Sequence, residues 1–164
     1  MATVSAGILL YRLTPEPEVL IAHMGGPYWA AKDEAAWSIP KGEFDEATEG
    51  AMDAARREFL EELGVAAPDV AYAELGTFAY SSGKKIVVFV GDGEEFEAAD
   101  LEFGTFELEW PPRSGRTQSF PEVDRAEWMP VAEAHPRLVK GQRPALDALT
   151  RHLEEVGAAG PSGG

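Results

Sequence analysis

The sequence contains no cysteine, and this absence excludes several classes of site. Disulfides, thiolate zinc sites and cysteine nucleophiles cannot form in this 164-residue chain. Any metal ion must therefore be bound by oxygen atoms or by histidine. The three histidines, His23, His135 and His152, show no spacing typical of metal ligands, and we assign them no catalytic role.

Basic residues are also scarce. The chain has 14 Lys and Arg against 29 Asp and Glu, which gives a formal net charge of -15. Such a surface repels polyanions unless a cation intervenes. Extended nucleic-acid binding through a basic face is therefore not expected.

Long hydrophobic runs are missing as well. No stretch approaches the roughly 20 apolar residues that cross a membrane, and the N-terminal "MATVSAGILLYRL" lacks the basic start and long apolar run of a signal peptide. We expect no membrane partner and a cytoplasmic protein, whose oligomeric state the sequence does not indicate. The length and the 45% hydrophobic content fit one domain over residues 1–156, followed by a disordered tail over 157–164.

The residue pattern predicts strands alternating with two long helices. The helices are expected over 50–63, ending at Gly64, and over 144–156. A turn at 14–17 should join the first two strands, and segments 25–37 and 111–126 read as loops. Strands are predicted over 5–13, 18–23, 37–40, 70–80, 84–90, 105–110 and 127–129.

The first helix contains "RREFLEELG", which places Glu58, Glu61 and Glu62 at positions i, i+3 and i+4 with no basic residue between them. These positions are neighbours on a helix, and each like-charge pair costs a few tenths of a kcal/mol. Taken alone, this spacing is typical of a solvated helix face. A hard divalent cation bound among the carboxylates would offset the repulsion.

The residues before the helix favour the interpretation that the carboxylates bind a divalent cation. Together with "PKGEFDEATEG", the segment resembles the Nudix box, and its spacing matches the family pattern from Glu49 onward. Two departures lie in the loop: one extra residue between Gly42 and Glu49, and Thr48 where the family commonly has glycine. They leave open whether the carbonyl of Lys41 or that of Gly42 approaches a metal.

The resemblance implies a fold and roles for the box residues. The implied fold is an α/β (α+β) Nudix fold, a mixed β-sheet sandwiched between α-helices. Glu58, Glu61 and Glu62 would bind Mg²⁺, or Mn²⁺ in its place, with help from the Lys41 or Gly42 carbonyl. Glu49 and Arg57 would form a structural pair between loop and helix, with a substrate contact by Arg57 as the alternative.

A further glutamate is expected as metal ligand or general base. The segment "PEVDRAEW" resembles one in bacterial RNA pyrophosphohydrolases and plant-type dinucleoside tetraphosphate hydrolases, which implies this role for Glu122. Glu107 and Glu109 in "FELEW" are the alternatives, because strand alternation puts them on one face. A solvated surface role stays open for all three.

Candidate substrate contacts are the basic residues and the loop aromatics. Lys41, Arg113 and Arg116 are predicted to meet polyphosphate, with Lys84 and Lys85 as further candidates, although each also fits a surface charge. Tyr28 and Trp29 are predicted to stack a base because they lie in the long loop.

The resemblance therefore implies a Mg²⁺-dependent hydrolase that cleaves a diphosphate linkage in a nucleoside polyphosphate, either a dinucleoside polyphosphate or a nucleoside triphosphate. Removal of pyrophosphate from the 5′ end of RNA is an alternative that the charge disfavours. A non-catalytic nucleotide-binding module is another, although the box glutamates are all present. The isomerase branch of the same fold would need a cysteine, which the chain lacks.

Overall fold

The structure is a computed structural model that describes residues 3–13, 16–98, 101 and 103–159. Three α-helices are present: α1 (Ala51–Leu63), α2 (Val131–Arg137) and α3 (Arg143–Ala159), with a 3-10 helix at Lys140–Gln142. The strands are β1 (Val4–Arg12), β2 (Glu18–Met24), β3 (Trp37–Ser38), β4 (Lys41–Glu43), β5 (Tyr72–Ala79), β6 (Lys85–Asp92), β7 (Thr105–Glu109), β8 (Thr117–Pro121) and β9 (Val123–Pro130).

Seven of these strands form one mixed sheet. Its order is β3-β2-β1-β6-β5, with β4 paired to β1 and β9 paired to β2. The β1–β6 pair is parallel and the other pairs are antiparallel. Strands β7 and β8 form a separate antiparallel hairpin.

Alternating side chains bury both faces of the sheet. In β1, Leu9 joins the core beneath α2 and α3, whereas Ile8 and Leu10 join the core beneath α1. The apolar stripe of α1 packs on the second core, with Phe59 and Leu63 fully buried. The predicted mixed sheet between helices is thus confirmed.

The predicted end of α1 is also confirmed. Gly64 adopts a left-handed conformation, with φ of 77°, and its N–H donates to the Leu60 carbonyl at 2.8 Å. Glycine adopts this conformation without the steric cost of a Cβ. Among the described residues, none of the helices has both the length and the apolar character needed to span a membrane.

The region after residue 110 differs most from the prediction. Instead of a loop over 111–126 and a short strand, it contains β8 and the eight-residue β9. Strand β8 has little apolar content, and β9 buries Val123, Ala126 and Met129 at three-residue steps, which hides the two-residue period of a strand. Helix α2 was not predicted, and it contains Pro136, a residue that argues against a helix.

Two predicted boundaries, the start of the tail and the first turn, involve residues that the structure describes only in part. Helix α3 continues to Ala159, so it includes three residues that the sequence assigned to the tail. Residues 160–164, the rest of the predicted tail, lie outside the described residues, as do Thr14 and Pro15 of the predicted turn.

Candidate functional site

Helix α1 presents two of its glutamates to strand β4. The carboxylate of Glu58 lies against Gly42, where any Cβ would overlap it. One turn further on, Oε1 of Glu62 accepts a hydrogen bond from the Lys41 backbone N–H at 2.8 Å. The backbone of β4 therefore fixes Glu62, and Gly42 leaves the space that Glu58 needs.

Arg57 connects three glutamates. Its Nε and Nη2 donate to the two carboxylate oxygens of Glu49, at 2.9 and 2.8 Å. Its Nη1 lies 3.1 Å from Oε2 of Glu58 and 3.4 Å from Oε1 of Glu61. Arg57 therefore contacts its predicted partner Glu49 and also Glu58 and Glu61, so a basic side chain lies beside the glutamates although none stands between them in the sequence. The Arg57 guanidinium lowers the pKa of Glu49.

Glu122 reaches the same place from the turn between β8 and β9. Its N–H donates to the Gly104 carbonyl at 2.7 Å, and its carbonyl accepts from the Gly25 N–H at 2.9 Å. Gly104 itself packs on the last turn of α1, where a Cβ would lie 2.5 Å from the Glu61 carbonyl oxygen. These backbone contacts bring Glu122 beside the glutamate helix, while its side chain stays accessible to solvent.

These residues open on one cleft of about 400 Å³. Its walls include Glu58, Glu62 and Glu122. Lys41, Gly42 and Trp29 also line it, as the sequence analysis proposed for a metal or substrate site. The side chain of Glu61 is 53% exposed and does not line the cleft.

The environment of the cleft opposes negative charge on its carboxylates. Burial raises the pKa of Glu62 to about 7, with the charges of Glu122 and Glu58 adding to the effect and the Lys41 N–H opposing it. Burial and the charge of Glu61 raise the pKa of Glu58, and partial desolvation and the same charge raise the pKa of Glu122. A cation in the cleft would favour the ionised form of all three carboxyl groups and so lower their pKa values.

The chemistry of these donors fits a hard divalent cation. Carboxylate and carbonyl oxygens are the ligands that Mg²⁺ takes, and Glu58 and Glu62 offer such carboxylates in the cleft. Within the described part of the chain, however, no three His, Asp or Glu side chains are already arranged to hold a metal ion.

Other predicted residues lie elsewhere. Glu107 and Glu109 are exposed on β7, where Oε2 of Glu109 accepts from the Gly115 N–H at 2.9 Å. Arg113 and Arg116 are exposed at the tip of the β7–β8 hairpin. Tyr28 is 57% exposed and packs edge to face on Trp110 of the hairpin, with ring centroids 5.2 Å apart.

Several cleft residues were not anticipated, and Phe106 is the aromatic one among them. Phe106 lines the cleft and approaches Gly26, where a Cβ would lie 3.0 Å from its ring. The alternation of β7 separates Phe106 from the exposed Glu107, so the signal was present in "TFELE". The position of the β7–β8 hairpin determines which face of β7 lies against the cleft. The sequence pattern does not specify that position.

Comparison with known proteins agrees with the fold. The NUDIX domain model matches residues 1–149. A protein from the e-segB intergenic region of Enterobacteria phage T4 is 37% identical over 91 residues, which cover 54% of this chain and 58% of the phage protein.

Solved structures with little sequence identity share the fold. A C. elegans Ap4A hydrolase in a binary complex has a TM-score of 0.65 at 19% identity, covering 92% of this chain and 98% of that one. The Nudix domain of Shewanella oneidensis NrtR, complexed with ADP ribose, has a TM-score of 0.61 at 14% identity, with coverages of 93% and 89%. A MutT protein from Methanosarcina mazei Go1 has a TM-score of 0.58 at 17% identity, with coverages of 92% and 94%.

Proposed function

The chain belongs to the Nudix family, and on this premise we propose that residues 1–156 form one hydrolase domain that cleaves a diphosphate linkage in a nucleoside polyphosphate. The observation that carries the proposal is the convergence of Glu58, Glu62 and Glu122 on one cleft. Carboxylates from a helix and from a distant turn meet there although their mutual charge opposes the arrangement. A cytoplasmic location belongs to the same proposal.

The cleft carboxylates have the chemistry of a divalent cation site. Glu58 and Glu62 of the cleft would hold Mg²⁺, or Mn²⁺, with a carbonyl of Lys41 or Gly42 as a further ligand, and the exposed Glu61 on the same helix would have to turn towards the cleft to join them. When bound, such an ion would neutralise diphosphate oxygens and lower the pKa of a bound water. Arg57 orients Glu58 and Glu61 through its contacts, and Glu49 holds Arg57 in place.

Glu122 is the proposed general base. Its carboxylate is accessible to solvent at the cleft, and partial burial and the charge of Glu61 raise its pKa above the ordinary value, which makes it a stronger proton acceptor for an attacking water. Its backbone is fixed at both ends by the bonds to Gly104 and Gly25. Glu107 and Glu109 are exposed on β7 and do not line the cleft.

Trp29 and Lys41 are the proposed substrate contacts within the cleft. The indole of Trp29 offers a stacking surface for a base, and the Lys41 ammonium offers charge to a phosphate. Tyr28, Arg113 and Arg116 lie beyond the cleft walls, at the hairpin and the loop that packs on it. They are proposed only for a substrate long enough to extend past the cleft.

Dinucleoside polyphosphates are the first substrate class to test, followed by nucleoside triphosphates. The C. elegans Ap4A hydrolase supports the first class through fold similarity. The net charge of -15 weighs against 5′-triphosphorylated RNA, because the protein offers little positive surface to an extended strand.

The experiment is a substrate panel with identified products. Dinucleoside polyphosphates, nucleoside triphosphates, ADP-ribose and 5′-triphosphorylated RNA would each be incubated with the protein and Mg²⁺, with EDTA as control. We expect cation-dependent cleavage of a phosphoric anhydride in a small nucleotide. Binding of these nucleotides without turnover of any would instead support the non-catalytic module.

A further inference from the structure

His23 lies behind the wall of the cleft and takes no part in the proposed chemistry. Strand β2 alternates, so Ala22 and Met24 line the cleft while His23 points to the opposite face of the sheet. The imidazole is fully buried. A buried ionisable ring at this position needs a reason beyond packing.

Both ring nitrogens have hydrogen-bond partners. Nε2 lies 2.6 Å from the Lys32 carbonyl oxygen, and Nδ1 lies 2.8 Å from Oδ1 of Asp124. A backbone carbonyl only accepts, so Nε2 carries a hydrogen. Nδ1 faces a carboxylate oxygen, so both ring nitrogens lie at hydrogen-bond distance from acceptor oxygens, an arrangement that a ring with hydrogens on both nitrogens would satisfy completely.

These two bonds join separate parts of the chain. Lys32 belongs to the segment 25–36, here called the aromatic loop, and Asp124 belongs to β9, two residues after Glu122. The next loop residue, Asp33, accepts from Nε1 of Trp37 at 2.9 Å. The Trp37 ring in turn packs edge to face on His23, with centroids 5.1 Å apart. Further charged groups on this face are Arg125, which lies above Trp37, and Arg137, which is paired with Asp33.

The fixed part of the aromatic loop includes Trp29. The Lys32 N–H donates to the Trp29 carbonyl at 2.9 Å, and the Lys32 ammonium lies over the Trp29 ring at 5.2 Å. The carbonyl of Lys32 that His23 binds and the indole that lines the cleft are therefore parts of one turn. At the other end of the loop, Gly25 is bonded to Glu122.

We propose that His23 is a positioning residue, which as an imidazolium ties the turn bearing Trp29 to the strand that follows Glu122 and thereby sets the affinity for the nucleoside part of the substrate. The predicted effect of His23 on substrate affinity rests on the proposed function. The clamp itself, an imidazolium between Asp124 and the Lys32 carbonyl, does not.

A double-mutant cycle tests whether His23 acts through Trp29. With the best substrate of the panel, we expect His23→Gln and Trp29→Ala each to raise KM about fivefold or more with kcat changed less than about twofold. The double variant should show little further increase, because both changes remove one shared effect. His152→Gln on α3 is the matched control and should leave KM at the parent value. Additive effects, or a loss confined to kcat, would overturn the proposal.

Two measurements need no substrate. In parent protein labelled with ¹⁵N-histidine, the His23 ring should show both nitrogens protonated, whereas Asp124→Asn should leave a neutral ring with its proton on Nε2. Backbone amides of residues 26–33 should exchange hydrogen faster in His23→Gln than in the parent. A neutral ring in the parent, or unchanged exchange, would refute the clamp even if the panel yields a substrate. If His23→Gln does not fold, the ¹⁵N-histidine spectra of the parent and of Asp124→Asn still decide whether the clamp exists.

Discussion

At the scale of single residues, the cleft depends on side chains held where charge is unfavourable. Glu62 keeps one hydrogen bond from the Lys41 N–H, and Glu58 occupies space that exists only because residue 42 is glycine. The pKa of each carboxylate is raised by its surroundings. A site of this kind loses stability to gain function, and each glutamate can be tested for both.

Glu122→Gln tests the proposed base. We expect kcat to fall by about 10²-fold or more with little change in KM, because the lost interaction is made mainly in the transition state. Glu107→Gln and Glu109→Gln are matched controls on the exposed face of β7 and should stay near the parent rate. Steady-state kinetics of the three variants would measure this difference. A larger loss of kcat in Glu107→Gln or Glu109→Gln than in Glu122→Gln would assign the general base to β7.

Glu58→Gln tests the cost of the carboxylate cluster. Without divalent cations the variant should melt at a higher temperature than the parent, because burial and the charge of Glu61 disfavour the ionised Glu58. Glu61→Gln should change less, since that side chain is exposed and lies near Arg57. Melting curves in EDTA would decide, and a lower melting temperature for Glu58→Gln would show that its contact with Arg57 outweighs the repulsion.

At the scale of secondary-structure elements, the aromatic loop is held by polar contacts to its neighbours. Asp33 accepts from the Trp37 indole N–H at 2.9 Å and from Arg137 Nε at 3.0 Å. These bonds connect the loop to β3 and α2. They lower the pKa of Asp33, with the Trp37 bond as the largest cause and the Arg137 bond next.

This shift predicts a pH-dependent contribution to stability. A carboxyl whose pKa is depressed in the folded state stabilises it above its ordinary value near 3.8, and the contribution disappears as the pH falls through the lower folded value. Asp33→Asn should therefore melt below the parent at pH 7, with the gap closing towards pH 3. Asp147→Asn on the exposed face of α3 is the control. A gap of equal size at both pH values would mean that the Asp33 charge contributes nothing.

The elements that the sequence predicted well are those with strong local signals. Strands β1, β2 and β6 have continuous apolar runs, and α1 combines an apolar stripe with a glycine at its end. Strands β8 and β9 have no such signal. Strand β8 has little apolar content and pairs with its neighbour β7 in the separate hairpin, whereas β9 pairs with β2, which is far away in the chain. The same distinction holds in the cleft. Spacing on one helix predicted the neighbourhood of Glu58 and Glu62, whereas the place of Phe106 depends on how a hairpin packs.

At the scale of the whole molecule, the excess of acidic residues predicts that a bound divalent cation stabilises the fold. We expect Mg²⁺ to raise the melting temperature of the parent in a concentration-dependent way, because a ligand that binds only the folded state stabilises it. General screening of the net charge of -15 would also raise it, so NaCl at matched ionic strength is the control. The specific part of the rise should be smaller in Glu62→Gln, and equal rises with both salts would argue against a cation site.

If the glutamates of α1 form the hydrolytic centre, replacing Glu62 by glutamine should remove most of the activity. Glutamine keeps the size of the side chain and an oxygen that can accept the Lys41 N–H, but it removes the charge. The measurement is kcat/KM of parent and variant on the same panel substrate at saturating Mg²⁺, with circular dichroism to confirm folding. We predict a fall of about 10²- to 10³-fold. A folded variant that hydrolyses the substrate at the parent rate would contradict the account.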